Sequence, residues 1–131
     1  MLIARKMTND FFTLKGQIVR KIQALNGDSL SILTDKYEYN LYHAQDCCEY
    51  VRIVKIIGDI DNILNEEIIF AEEDGGANDP DWYTDYSYYN DSHTWTKFVL
   101  GTKNGNVEFW FLGESNGYYS ESVSIKVGEI V

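Results

Sequence analysis

Ile22-Gln23-Ala24-Leu25-Asn26-Gly27-Asp28-Ser29-Leu30-Ser31-Ile32 is the stretch whose reading decides the fold. Apolar and polar residues alternate on both sides of an Asn-Gly-Asp turn, the pattern of a β-hairpin with one buried face. A three-residue loop sets Ile22 opposite Ile32 and Ala24 opposite Leu30, whereas a two-residue loop would set Ile22 against Ser31 and break the apolar face. A tight turn at Asp35-Lys36 then returns Tyr37 to His43, with Tyr39 opposite Ile32 and Leu41 opposite Leu30. The product is a three-strand antiparallel meander.

Working outward, residues 1–15 carry no clear period and read as an N-terminal arm, a short helix or a docked segment. Beyond the meander, Tyr50 to Ile57 is nearly continuous in apolar character, which predicts a strand covered on both faces. Gly58-Asp59 ends it, and residues 59–65 read as a helical turn at most, capped by Asp59 or Asp61. Glu66 to Glu73 predicts a further strand around Ile68, Ile69 and Phe70.

Residues 72–91 then break the pattern, with seven Asp/Glu, no Lys or Arg, the sole proline at Pro80, and Trp82, Tyr83, Tyr86, Tyr88 and Tyr89 between them. They are expected to form a long acidic, aromatic loop. The bland alternative is an insertion that tucks some of its aromatics onto the sheet.

In the C-terminal part, an Asn-Gly turn within Lys103 to Asn106 predicts a hairpin with Leu100 opposite Phe109 and Phe98 opposite Phe111. A second turn, with Gly117 left-handed, is expected to fold Val123 and Ile125 back beside Phe109 and Phe111 as a second meander. The opposite face, with Trp95, Lys97, Val99, Trp110, Leu112 and Glu114, is too aromatic for open solvent and calls for a cover. These elements predict a mostly β fold: a single-domain antiparallel β-sandwich or distorted barrel of two meanders over residues 1–131, with one or two short helices at most.

The formal charge of -10 over 131 residues is the compositional outlier. An acidic surface repels phosphate backbones and anionic headgroups, so direct nucleic-acid and membrane binding are disfavoured and a protein with a basic surface is the natural partner. The charge is uneven: residues 1–36 hold six Lys/Arg against three Asp/Glu, an asymmetry that also fits a homo-oligomer. No apolar run approaches the length of a membrane span, and Met1 to Lys6 lacks a signal-peptide core, so a cytoplasmic protein is expected.

Both cysteines and one of the two histidines fall in His43-Ala44-Gln45-Asp46-Cys47-Cys48-Glu49. The sharp reading is a metal site from His43, Asp46, Cys47, Cys48 and Glu49, with His93 in support. Strand alternation sends Cys47 and Cys48 to opposite faces, and the paired CxxC spacing of zinc sites is absent. A cysteine nucleophile would be discouraged by the flanking acids. The competing reading is architectural: a cysteine packs as a small hydrophobe while Asp46 and Glu49 accept backbone N–H bonds at a corner. Adjacent cysteines are expected as thiols, because neighbouring α-carbons lie about 3.8 Å apart and ordinary disulfides want at least about 4.4 Å. Glu114 and Glu121 flank a turn but point to opposite faces, so they do not form a hydrolytic pair, and Glu121 reads as an inward carboxylate in a buried network. No cofactor motif is present, and catalytic residues are expected to be none.

Tyr42-His43-Ala44-Gln45-Asp46-Cys47-Cys48-Glu49 and Gly113-Glu114-Ser115-Asn116-Gly117-Tyr118-Tyr119-Ser120-Glu121-Ser122-Val123, with Ile57-Gly58-Asp59-Ile60 and Thr94-Trp95-Thr96 between them, resemble a family of small proteins of unknown function encoded by bacteriophages and prophages. The likeness covers most of residues 16–127 and lends no reaction. What it implies is context: a non-enzymatic accessory protein in the cytoplasm of a bacterial host, acting as an inhibitor of a host component such as a defence protein.

The leading expectation is therefore a protein-binding surface in the acidic loop, carried by Asp79, Asp81, Trp82, Tyr83, Asp85, Tyr86, Tyr88 and Tyr89. The alternative from another class is a small-ligand or metal-binding β-domain that sequesters or hydrolyses a nucleotide-like molecule.

Overall fold

Val19–Leu25 (β2) and Ser29–Thr34 (β3) pair with Ile22 opposite Ile32 and Ala24 opposite Leu30, as the three-residue loop demands. Asn26 and Gly27 both hold positive φ, which lets the loop close without splaying the strands. Tyr37–Tyr42 (β4) follows in the expected register, Tyr39 opposite Ile32 and Leu41 opposite Leu30. Its turn is fixed by the Thr34 hydroxyl, which accepts from the amides of Lys36 and Tyr37 at 3.2 and 3.0 Å.

A computed structural model of the chain describes residues 2–5, 10–83 and 91–130, the first four through their backbone alone. Two antiparallel sheets face each other. The five-stranded sheet runs β1 (Leu2–Arg5), β9 (Ser124–Ile130), β4, β3, β2, and the four-stranded sheet runs β5 (Glu49–Ile57), β8 (Gly105–Ser115), β7 (Ser92–Thr102), β6 (Phe70–Ala77). At the β2 margin the described residues form isolated bridges, Ile18 with Glu67 and Val19 with Leu64, and no continuous strand pairing, so the fold is a sandwich and not a closed barrel. The helical content among the described residues is two short 3-10 turns, Asp10–Leu14 and Ile60–Asn62, the second capped by the Asp59 carboxylate accepting from the Asp61 amide at 3.0 Å.

The core lies between the sheets. Leu30, Ile32, Tyr39, Leu41 and Val127 meet Phe98, Leu100, Phe109 and Phe111 across it. The described part of the N-terminal arm belongs to this structure: residues 2–5 pair with β9, and Phe11 and Leu14 are buried, with the Phe11 ring 4.9 Å from that of Phe98.

Four expectations are corrected. β8 and β9 are not neighbours: after Ser115 the chain crosses to the other sheet, where β9 enters between β4 and β1 with Leu41 opposite Ile125 and Tyr39 opposite Val127. Among the described residues β5 pairs with β8 alone, as an edge strand, and Tyr50 and Ile56 are exposed on it. Residues 74–77, read as loop alone, continue strand β6 beyond Glu73. In the β7–β8 hairpin the loop is Lys103-Asn104, so Phe98 faces Phe109 and Leu100 faces Val107, a shift of two residues from the expected pairing. That shift has a tertiary cause. The Thr102 hydroxyl donates to the Asn62 carbonyl and accepts from the Asn104 amide, while Gly105, at φ 139°, leaves room for the Asn62 side chain. The docked 3-10 turn thus selects the register.

Candidate functional site

Residues 66–83 carry Glu66, Glu67, Glu72, Glu73, Asp74, Asp79 and Asp81 and no Lys or Arg, and they form the margin of the four-stranded sheet and the start of the following loop. Glu67, Glu72, Glu73, Asp79 and Asp81 are exposed. Beside them a groove of about 510 Å³ opens between the Asp10–Leu14 turn and β6, lined by Phe11, Phe12, Lys15 and residues 69–73. Its walls are apolar and open: Phe12 is 57%, Ile69 54% and Phe70 42% exposed. Partial burial beside the groove, reinforced by the Asp10 charge, raises the Glu73 carboxyl above its ordinary value.

Of the eight loop residues expected to bind a partner, Asp79 and Asp81 are exposed, with Asp79 accepting from or paired with His93 Nε2 at 2.8 Å. Trp82 and Tyr83 lie instead on the outer face of the four-stranded sheet. The Trp82 ring stands 5.6 Å from Trp95 and 5.5 Å from Trp110, both edge-on, and Tyr83 stands 5.3 Å from Trp95. These rings are the cover that the aromatic outer face required. Lys55 Nζ sits 4.9 Å over Trp82 and Lys97 Nζ 5.2 Å over Trp110, so cations rim the cluster. Trp82 keeps part of its surface in solvent. Asp85, Tyr86, Tyr88 and Tyr89 lie outside the described residues.

The second candidate, His43 to Glu49, is organised by one carboxylate. Glu49 is 2% exposed and gathers donors on both oxygens: His43 Nε2 at 2.8 Å and the Asp46 amide at 3.0 Å on Oε2, the Cys47 amide at 2.8 Å and Gln45 Nε2 at 3.2 Å on Oε1. The His43 bond, working against burial and aided by the backbone amides, holds the Glu49 carboxyl down at about 2. His43 Nδ1 lies 2.8 Å from the Ser122 carbonyl. On its other side Nε2 faces the Glu49 carboxylate.

Those contacts tie the β4–β5 corner to the segment that crosses between the sheets. Asp46 is exposed and contributes its amide, whereas the backbone-capping carboxylate is Glu49. The thiol expectation is corrected: Cys47 and Cys48 are joined by a disulfide between adjacent residues, their α-carbons 3.7 Å apart, and Cys47 is exposed, not packed. Among the described residues, no three His, Cys, Asp or Glu side chains converge as metal ligands.

Glu114 and Glu121 diverge as their alternation requires. Glu114 is fully buried on the outer face, where Arg52 Nη1 donates to Oε1 at 2.6 Å, while Oε2 has no hydrogen-bond partner among the described residues. Glu121 accepts from Thr94 Oγ1 at 2.7 Å and from the Ser115 hydroxyl. Burial would raise its carboxyl, but the hydroxyls of Ser115, Thr94 and Ser92 and the nearby His93 hold it below the ordinary value.

The sequence reading missed the groove residues Phe12, Ile69 and Phe70. A signal was present: Ile68, Ile69 and Phe70 are three consecutive apolar residues, more than one buried face of an edge strand can use.

Among the described residues no helix is long and apolar enough to cross a membrane. Comparison with curated proteins and with solved structures finds no match. The sequence pattern of one family does match, across residues 12–125, and the chain belongs to that family, the domain of unknown function DUF7448.

Proposed function

We propose that this chain is a non-enzymatic binding protein that occupies a basic surface of another protein through the acidic margin of residues 66–83. The observation that carries the reading is the concentration there of seven carboxylates without a Lys or Arg, next to exposed Phe12, Ile69 and Phe70. Carboxylates steer a basic partner into encounter, and apolar side chains at the centre of a contact supply the affinity once water is expelled. The resemblance to bacteriophage and prophage proteins makes a host protein the partner, with blockade of that protein, such as a defence component, as the outcome.

Capture from a bacterial lysate followed by mass spectrometry tests the reading. The wild-type chain should retain a specific basic protein, with retention falling as salt rises. A variant with Glu67, Glu72, Glu73, Asp79 and Asp81 replaced by their amides should lose it while keeping the wild-type melting curve. Retention that survives this neutralisation would refute the acidic surface as the binding element.

A further inference from the structure

Among the described residues β6 pairs only with β7, which leaves its backbone a definite open side. The Lys103-Asn104 loop has two residues, so it closes on a hydrogen-bonded pair, Thr102 with Gly105. Alternate residues of β7 therefore turn their backbone groups toward β8, and the intervening Lys97, Val99 and Gly101 turn theirs toward β6. The Ile69 amide donates to the Gly101 carbonyl at 2.9 Å, and Phe70 and Glu72 are the residues paired with Gly101 and Val99. The backbone groups of Ala71 and Glu73 consequently face away from the sheet. Both residues line the groove.

One step earlier on the same side, Ile68 already shows how this edge is used. Its amide donates to the Gln17 carbonyl at 2.8 Å, and its carbonyl accepts from the Gly16 amide at 2.7 Å. Past Ile68 that pairing stops, and among the described residues no other backbone bond from outside the sheet reaches Ala71 or Glu73. The groove begins where the chain's own pairing ends.

The carboxylates select what can enter. Glu73 shares a face with Ala71, whose pairing partner Leu100 is in the core, so it points inward at the edge, and Asp10 stands near it, 8% exposed, with Oδ1 lacking a hydrogen-bond partner among the described residues. Inward and flanking charges on an edge strand repel an identical edge, which disfavours a second copy of this chain. The same charges admit a strand that brings its own cation.

We propose that the groove takes an extended segment of a partner protein as an added strand along β6, bonded to the backbone of Ala71 and Glu73. An apolar side chain of that segment fills the space between Phe12, Ile69 and Phe70, and an adjacent lysine or arginine meets Glu73 and Asp10. This rests on the reading of residues 66–83 as a protein-binding surface and names its mode: main-chain bonds supply affinity, and alternate side chains supply specificity.

The test is a titration of the ¹⁵N-labelled full chain, followed by NMR, with the acetylated peptide Lys-Val-Lys-Val-Lys-Val amide. Two companion peptides are needed: the same peptide N-methylated at every residue, which keeps the charge but removes the donors, and one with Glu in place of Lys. The lysine peptide should shift and protect the amides of Ala71 and Glu73, and N-methylation should weaken binding at least about tenfold. The double variant Phe12→Ser/Ile69→Ser, which changes only exposed side chains, should weaken it by a similar factor. Equal affinity for the methylated peptide, shifts confined to residues outside 68–74, or no binding below about 1 mM would each overturn strand addition. If the methylated peptide binds equally but the Glu peptide does not, strand addition fails and the acidic-surface reading stands. Equal affinity for the Glu peptide sinks both.

Discussion

Glu121 passes so closely over Gly113 that a Cβ built at residue 113 would stand 2.2 Å from the Glu121 carbonyl oxygen and 2.8 Å from its Cβ. The segment crossing between the sheets is thereby seated on β8 with no layer of side chains between. Gly113→Ala must push backbone away from backbone, because the nearest atom is a carbonyl and not the end of a flexible side chain. We expect a loss of about 1–3 kcal/mol, the usual range for overpacking, read from urea unfolding.

Glu49 makes acid sensitivity predictable in sign. Its folded value of about 2 lies below the ordinary 4.5, so folding favours the ionised form. The stabilisation is complete above about pH 4.5 and is lost as the pH falls toward 2. Thermal melts from pH 6 to about pH 2 should therefore show Glu49→Gln less stable than wild type near neutrality and the gap closing through that window. A gap that stays constant with pH would show that the carboxylate's charge contributes nothing.

Arg52 is the one cation within hydrogen-bond reach of buried Glu114 among the described residues. Arg52→Met leaves an uncompensated charge in the sheet and should cost about 3–5 kcal/mol. Arg52→Met/Glu114→Leu should recover most of that loss, since the pair as a whole offsets its own desolvation. Urea unfolding of the two single variants and the double variant gives the coupling.

Trp82→Ala removes the ring that lies edge-on to both Trp95 and Trp110. Part of that ring is in solvent, so the expected destabilisation is about 2 kcal/mol, below the range for a fully buried tryptophan. Tryptophan emission should shift to the red as the two remaining indoles meet water, and the near-ultraviolet circular dichroism of the cluster should weaken.

The β2–β3–β4 meander was legible because each strand has one buried face and its turns have definite lengths, so a slip would have exposed Ile32 or Leu41. The β7–β8 pairing slipped by two residues, a shift to which alternation is blind, since it leaves Phe98, Phe109 and Phe111 on the same face. What fixes it is Asn62, a contact from 40 residues away from Thr102.

The partner of β9 was not legible for a related reason. Ile125 and Val127 point into a core shared by both sheets, so their pattern is the same beside Phe111 and across from it. β5 reads as a strand covered on both faces because Val54 and Ile57 pack against the outer tryptophan cluster, and that apolar run hides its edge position. Asp74 and the glycines at 75 and 76 mask the end of a strand whose charge suits a sheet margin. At the candidate site the acidic composition was visible, but the groove was not, because it forms only when the Asp10–Leu14 turn docks beside β6.

The placement of β9 between β4 and β1 bears on how the chain is made. Until residues 124–130 have left the ribosome, β1 has nothing to pair with and β4 offers a bare edge, although the β2–β3–β4 meander and the whole four-stranded sheet have already been translated. A nascent chain must hold half a sandwich open until β9 arrives, and a message that stops before codon 124 would yield a protein unzipped along the middle of one sheet.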